Sequence, residues 1–126
     1  MNPVILVIED NEQNLYLMRF LLEKNGFTVI DAMDGEKGVE TAKKNKPDLI
    51  LLDIQLPKMD GYAVARELRK ISDLASTPIV AVTSYAMVGD REKVLAAGAD
   101  GYIEKPIDPE KFVEQIKQFM VPVKTL

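Results

Sequence analysis

The side chains best suited to chemistry in this sequence stand one or two residues after the ends of short apolar runs. They are Glu9, Asp10, Asp53, Thr83 and Lys105. Carboxylate oxygens suit a hard cation such as Mg²⁺, so the three acids are candidate magnesium ligands. A carboxylate can also accept a phosphoryl group and form an aspartyl phosphate, whose negative charge Mg²⁺, an ammonium and a hydroxyl would balance. Asp53 is the best candidate for that nucleophile, because it follows the central apolar run and precedes a loop.

Each of these residues also has a simpler explanation, because every strand must end in something polar. For Glu9 or Thr83 alone, that explanation is the better one. The set together favours a functional site, because clustered carboxylates repel one another unless a cation compensates them.

The composition of the 126-residue chain removes several other chemistries. It contains no His, Cys or Trp, which excludes disulfides, thiolate catalysis, zinc–thiolate sites, His-based triads and a phosphohistidine of its own. The net charge of −4 argues against direct binding to nucleic acid. No apolar stretch approaches the ~20 residues of a membrane span, and no signal peptide is visible. We therefore expect one cytoplasmic domain that does not bind membranes.

The elements that must position these side chains are short strands alternating with amphipathic helices. Near-continuous apolarity predicts strands buried on both faces, as in a parallel sheet. Asp31 and Glu104 place the second and fifth strands at the sheet edges. The predicted strands are Val4–Ile8, Thr28–Ala32, Leu49–Leu52, Ile79–Val82 and Gly101–Ile103.

Helices are predicted between the strands, over about residues 12–25, 35–45, 61–71 and 88–97. A fifth helix has Asp108 as its cap and Pro109 in its first turn. Its predicted buried face comprises Phe112, Val113, Ile116, Phe119 and Met120. Five β/α units of this length predict a single doubly wound α/β domain, in which ligands bind at the carboxyl ends of the strands.

The chain resembles the receiver domain of bacterial two-component response regulators over nearly its whole length. The resemblance rests on VILVIEDN at 4–11, LILLDIQLPKMDG at 49–61, PIVAVTSYAM at 78–87 and GADGYIEKPID at 98–108. It implies a flavodoxin-like sheet of five parallel strands in the order 2-1-3-4-5. It also implies a phosphoacceptor that is not an enzyme in the usual sense, although it takes a phosphoryl group from a phosphohistidine and loses it again. The partner implied is a histidine kinase or a histidine phosphotransfer protein.

The resemblance also implies roles for individual residues. Asp10, Asp53 and the backbone carbonyl of Gln55 would hold Mg²⁺, with Glu9 assisting through water. Asp53 would carry the phosphoryl group, Lys105 would contact it, and the Lys105–Pro106 bond would be cis.

A conformational switch is implied as well. Thr83 would move toward the phosphoryl group while Tyr102 turns inward, and the fourth helix, fifth strand and fifth helix would form the output surface. Gln55, Ser84 and Tyr85 stand where the family tunes hydrolysis of the aspartyl phosphate. A bulky Tyr85 that screens attacking water predicts a longer-lived phosphoryl state.

The first predicted helix carries an unusual pair of aromatic residues. Tyr16 and Phe20 are four residues apart, on the side opposite its Leu- and Met-rich face. Scattered surface aromatics are common and are one explanation. The other is a docking patch for a histidine-bearing helical partner.

Several alternatives remain open at this point. We expect a single receiver domain over residues 1–126 with no output domain, acting as a monomer or weak dimer on an unnamed downstream protein. The chain could instead be a receiver cut from a longer regulator or hybrid kinase. An aspartate-nucleophile phosphatase is disfavoured, because Gln55 stands where such enzymes need an acid. A flavodoxin-like cofactor binder is disfavoured by the acidic residues and the absence of glycine in residues 9–14.

Overall fold

A computed structural model describes residues 2–56, 59–84 and 88–120. Strands and helices alternate along it, and a short 3₁₀ turn, Ser72–Leu74, precedes the fourth strand. The strands are β1 (Val4–Ile8), β2 (Thr28–Ala32), β3 (Leu49–Asp53), β4 (Ile79–Thr83) and β5 (Gly101–Glu104). The helices are α1 (Glu12–Lys24), α2 (Gly35–Asn45), α3 (Gly61–Arg69), α4 (Val88–Ala96) and α5 (Phe112–Met120).

The five strands form one parallel sheet in the order β2-β1-β3-β4-β5. This confirms the predicted doubly wound fold, with β2 and β5 at the edges. Three strands are one residue longer than the apolar runs that predicted them. As a result, Asp53, Thr83 and Glu104 are the last residues of β3, β4 and β5 rather than the first residues after them.

The hydrophobic core lies in two layers, one on each face of the sheet. Alternate residues of the central strands point to opposite faces, so Leu6 and Ile8 pack with α2 and α3 while Ile5 and Val7 pack with α1 and α5. This is why the strands read as continuous apolar runs instead of alternating ones.

Helix ends follow the expected capping chemistry at most positions. Asn11 caps α1 by accepting a hydrogen bond from Asn14 N–H, and Gly26 after α1 has a positive φ of 91°. The start of α5 differs from the prediction. The Asp108 side chain accepts a hydrogen bond from Glu110 N–H, and its carbonyl accepts from the N–H groups of Lys111 and Phe112, but regular α-helix begins only at Phe112. The predicted buried face is confirmed, with Phe112 and Ile116 fully buried.

One arginine ties together several segments on the α3 side of the sheet. The Nε of Arg69, at the end of α3, donates to the Gly98 carbonyl at 2.8 Å, and Nη1 donates to the carbonyls of Leu74 and Thr77 at 2.9 and 2.7 Å. Its Nη2 donates to Asp100 at 2.7 Å. The segment between α4 and β5 is therefore held to the end of α3 by one side chain.

Within the described ranges, no helix is both long and apolar enough to cross a membrane.

Candidate functional site

Three carboxylates meet at the carboxyl edge of the sheet. Glu9 and Asp10 follow β1, and Asp53 ends the neighbouring β3. One oxygen from each lies within 4.8 Å of the others. Glu9 and Asp53 are almost fully buried, with 1% and 2% of their surfaces exposed, whereas Asp10 is exposed to solvent. The predicted cluster is therefore formed, and it opens to water on the Asp10 side.

Backbone groups of the adjoining loops orient two of these carboxylates. Asn11 N–H donates to Glu9 Oε2 at 3.1 Å, and Gln55 N–H donates to Asp53 Oδ1 at 3.0 Å. The β3–α3 loop is held near Asp53 by Gly61, whose N–H bonds the Ile54 carbonyl at 2.9 Å. A Cβ at Gly61 would lie 2.4 Å from Ile54 Cα and 2.8 Å from the Asp53 carbonyl, so this close approach requires glycine.

Among the described residues, only Lys105 places a positive charge in contact with this carboxylate cluster. Its Nζ lies 3.2 Å from Glu9 Oε1 and 3.2 Å from Asp53 Oδ1. The residue follows β5, and its backbone N–H donates to the Thr83 carbonyl at 2.8 Å. The Lys105–Pro106 peptide bond is cis, as the family resemblance implied.

Burial and charge perturb the titration of two of these groups. Burial, together with the hydrogen bond and negative charge of Asp53, raises the pKa of Glu9 to about 7. Burial alone would lower the pKa of Lys105, but the carboxylates of Asp53 and Glu9 outweigh it and raise that pKa. Lys105 is therefore a cation at neutral pH, whereas the pKa of Glu9 in the metal-free chain lies well above that of an ordinary carboxyl group.

The donor set fits a hard divalent cation. All three groups offer oxygen atoms, and the buried Glu9 Oε1 accepts no hydrogen bond within the described residues, although Lys105 lies near it. Mg²⁺ takes one or two carboxylates and keeps several waters, which the exposed Asp10 side allows. Glu9, Asp10 and Asp53 are the residues that would hold it.

The structure places the remaining predicted site residues around this cluster. Thr83 is buried at the end of β4, and Tyr102 is half-buried in β5, where it packs against the α2/α3 layer of the core. The Ser84 hydroxyl donates to Gln55 Oε1 at 2.8 Å, so two of the predicted tuning residues contact each other. Tyr85, the third, lies outside the described residues.

Tyr16 and Phe20 lie on the exposed surface of α1. Their side chains are 73% and 51% exposed, and their rings stack with centroids 6.4 Å apart and planes 16° apart. Lys24 Nζ lies 5.8 Å from the Phe20 ring. The predicted aromatic patch therefore exists, but its residues are not part of the carboxylate cluster.

A groove of about 690 Å³ runs along β5 between α4 and α5. Leu95, Tyr102 and Phe119 line it together with the acids Glu104 and Asp108. It lies on the face that the resemblance assigned to output.

The sequence analysis did not identify two arginines as structurally important. Arg69 forms the ties described above, and Arg91 of α4 places its guanidinium 5.0 Å from the centroid of the Tyr102 ring. Both stand among charged helix residues and differ in no visible way from solvent-facing ones. Only the tertiary contacts distinguish them.

Comparison with known proteins identifies a family that matches most of the chain. The family model described as "Response regulator receiver domain" matches residues 5–117. The polar-differentiation response regulator DivK of Brucella anthropi is 40% identical over 116 residues, which cover 92% of this chain and 94% of that protein. The DivK protein of Brucella ovis is 39% identical over 120 residues, covering 95% and 98%.

Solved structures agree in fold. The receiver domain of the sensor histidine kinase PA1611 from Pseudomonas aeruginosa, described with a magnesium ion coordinated in its active-site cleft, has a TM-score of 0.88 and 33% identity over 95% of this chain and 98% of its own. The chemotaxis protein CheY4 of Vibrio cholerae has a TM-score of 0.91 and 25% identity, covering 94% and 99%. The chain has a buried acid cluster beside a lysine, at the edge of a sheet of this strand order. Together with the family match, this shows that it belongs to the response regulator receiver domain family.

Proposed function

We propose that this chain is a phosphoacceptor switch in which Asp53 receives a phosphoryl group from the phosphohistidine of a kinase or phosphotransfer protein. The observation that carries the proposal is the buried Asp53 carboxylate, which lies between a lysine ammonium 3.2 Å away and two further acids. Buried acids at such short range need a cation, and the arrangement keeps Asp53 beside positive charge where a phosphoryl group would add negative charge.

The chemistry is a phosphoryl transfer between nitrogen and oxygen. A carboxylate oxygen of Asp53 attacks phosphorus, the phosphorus–nitrogen bond breaks, and the imidazole leaves with the electron pair of that bond. Lys105 neutralises part of the negative charge on the transferred group. Mg²⁺, held by Glu9, Asp10 and Asp53, would supply further positive charge to the phosphoryl oxygens. Hydrolysis of the resulting acyl phosphate by water returns the free carboxylate.

The added charge supports a switch through the adjacent strand ends. In the sheet, Asp53 of β3 pairs with Val82 of β4, and Thr83 is the next residue of β4. Tyr102 of β5 pairs with Ala81, also in β4. Phosphorylation adds a charge of about −1.5 to −2 at Asp53, which favours a conformation in which the Thr83 hydroxyl donates to it. Tyr102 then turns into the space that Thr83 vacates, and the α4-β5-α5 face changes shape for its protein partner.

The phosphoacceptor function is tested by mass spectrometry after incubation with Mg²⁺ and acetyl phosphate. We expect an adduct of about 80 Da that is stable in acid and labile in base. Asp53→Asn should abolish it, whereas Asp73→Asn, which changes an exposed aspartate far from the cluster, should not. No adduct on the unaltered chain, or an adduct that persists in Asp53→Asn, would refute the proposal.

We further propose that the exposed Tyr16–Phe20 pair contacts the partner that carries the phosphohistidine. Its support is the stacked, largely exposed pair of rings on the helix that starts beside Asp10. Tyr16→Ala/Phe20→Ala should slow transfer from a phosphorylated histidine phosphotransfer protein but leave labelling by acetyl phosphate unchanged. Equal slowing from both donors would contradict this assignment.

A further inference from the structure

The guanidinium of Arg91 lies between two side chains of β5. It stands 5.0 Å from the centroid of the Tyr102 ring, and its Nη2 lies 3.7 Å from Glu104 Oε1. Arg91 belongs to α4, so these contacts join the helix to the edge strand. A cation over an aromatic ring at this distance is attracted to its π face.

The two partners of Arg91 lie on the same face of the sheet as Thr83. Side chains two residues apart in a strand point the same way, so Tyr102 and Glu104 share a face. In the parallel register Ala81 pairs with Tyr102 and Thr83 pairs with Glu104. Val94, one turn further along α4, is buried in the core layer against which Tyr102 packs. The Tyr102 ring is therefore in contact with the Arg91 guanidinium as well as with this core layer.

We propose that Arg91 is a latch that holds Tyr102 in its unphosphorylated position and so sets how readily Asp53 is occupied. The inference rests on the proposed function, because it takes Tyr102 as the moving aromatic residue. If the ring turns inward when Asp53 is phosphorylated, it leaves the guanidinium, and the attraction between them favours the starting conformation alone. A contact made in one of two conformations shifts their populations by its own strength.

The side chains around the ring explain why an arginine suits this position. A guanidinium is flat, so it can lie against an aromatic face and still direct an N–H group at a carboxylate. The carboxylate of Glu104 lies 3.7 Å from the Nη2 atom of the Arg91 guanidinium. A lysine ammonium at the same position would be a point charge with weaker stacking, and we expect it to latch only partly.

The latch is weak by the nature of its contacts. The side chains of Arg91 and Glu104 are 46% and 52% exposed, and exposed cation–π contacts change equilibria by roughly two- to five-fold. Loss of the latch should therefore increase the affinity of Asp53 for a phosphoryl mimic by about that factor. A change of this size alters the response to a partner without altering the chemistry at Asp53.

The first measurement is a titration with beryllofluoride, a non-transferable phosphoryl mimic, in the presence of Mg²⁺. Binding is monitored by ¹⁹F NMR, and the quantity measured is the concentration that half-saturates the protein. Arg91→Gln should lower it roughly two- to five-fold, and Arg91→Lys should lower it less. Lys117→Gln, which removes one exposed positive charge on α5, should leave it unchanged. In a Tyr102→Leu background, which keeps apolar volume but has no π face, Arg91→Gln should have no further effect.

The second measurement uses the unphosphorylated protein alone. With ¹³C-labelled tyrosine rings, the Tyr102 resonance, assigned through Tyr102→Phe, should move in Arg91→Gln and stay in place in Lys117→Gln. An unmoved Tyr102 resonance would overturn the latch. So would an Arg91→Gln substitution that leaves beryllofluoride binding unchanged. An Arg91→Gln effect of the same size in the Tyr102→Leu background would overturn it as well.

The outcomes separate the two proposals. If the unaltered chain binds beryllofluoride normally and Arg91→Gln changes nothing, only the latch is wrong. If the unaltered chain does not bind the mimic at all, the proposed function fails and the latch fails with it.

Discussion

The Nζ atom of Lys105, on the residue after β5, lies 3.2 Å from the Oδ1 atom of Asp53 at the end of β3. The strand between them, β4, ends in Thr83, so the contact spans two strand spacings at the carboxyl edge. A long flexible side chain is needed to cover that distance. The Lys105 ammonium beside Asp53 is therefore positioned by the edge strand β5 and the loop that follows it. The acid itself is positioned by β3.

Replacing Lys105 should strongly impair phosphorylation. In Lys105→Met the charge on the incoming group is no longer balanced, and we expect labelling by acetyl phosphate to slow roughly 100-fold. Quantitative mass spectrometry over time measures the rate. Lys44→Met, an exposed position in α2, provides the control and should label at the normal rate. Normal labelling of Lys105→Met would show that the ammonium does not contact the transferred group.

The raised pKa of Glu9 predicts how stability depends on pH. Between the ordinary value of 4.5 and about 7, the folded metal-free chain binds more protons at Glu9 than the unfolded chain. The contribution of Glu9 to the free energy of unfolding therefore falls as pH rises across this interval and levels off above it, by on the order of 2–3 kcal/mol.

Urea denaturation in EDTA at about pH 5 and about pH 8 measures this contribution. Other carboxylates titrate as well, so the quantity of interest is the difference between the unaltered chain and Glu9→Gln. The stability of Glu9→Gln relative to the unaltered chain should increase with pH. A difference that is constant with pH would show that Glu9 titrates normally.

Gly61 is expected to be intolerant of even one added carbon. In Gly61→Ala the new Cβ meets backbone atoms of Ile54 and Asp53 at 2.4 and 2.8 Å, and backbone cannot yield as a side-chain tip can. We expect a loss of about 1–3 kcal/mol in unfolding free energy and weaker labelling of Asp53. Gly89→Ala is the matched control, because no atom of the described residues beyond its own stretch of helix lies within 4 Å of the added carbon.

The control has its own expected outcome. Gly89 lies in α4, where alanine is the better helix former, so Gly89→Ala should gain about 0.5–1 kcal/mol. Chemical denaturation of both variants checks the pair. Equal effects of the two substitutions would contradict the crowding seen at Gly61.

Arg69 should be necessary for stability although it lies near the surface. Arg69→Ala removes its bonds to the carbonyls of Gly98, Leu74 and Thr77 and to Asp100, and we expect a loss of about 2–4 kcal/mol. Arg66→Ala, an exposed arginine of the same helix, should change stability by less than about 0.5 kcal/mol. Thermal and urea unfolding of both variants test this, and similar values for the two would show that the network contributes little.

Much of the fold followed from local pattern in the sequence. The β-branched and Leu-rich runs predicted all five strands, and Asn11 and Gly26 predicted the ends of α1, because both depend on residues close in sequence. The carboxylate cluster also followed, since parallel strands bring their last residues to one edge. The charged residues Asp31 and Glu104 predicted that β2 and β5 lie at the edges, and the full order of the strands came from the family resemblance.

What could not be predicted depends on contacts between distant segments. Arg69 and Arg91 look like ordinary exposed charges because their acceptors, Gly98 and the Tyr102 ring, lie on other elements. The start of α5 was placed too early, because Asp108 caps an initial turn that leads into regular helix only at Phe112. The perturbed pKa of Glu9 also required the fold, since burial and the approach of Asp53 both arise from packing.

The Arg69 network bears on how we expect α4 to respond to phosphorylation of Asp53. Arg69 fastens the backbone just beyond the carboxyl end of α4 at Gly98, while the opposite half of the helix bears Arg91 and its contacts with β5. A rod pinned at one end swings about the pin, so a small displacement of the tyrosine ring would become a tilt of the whole helix. We therefore expect the carboxyl end of α4 to stay in place and its amino end to move when Asp53 is phosphorylated.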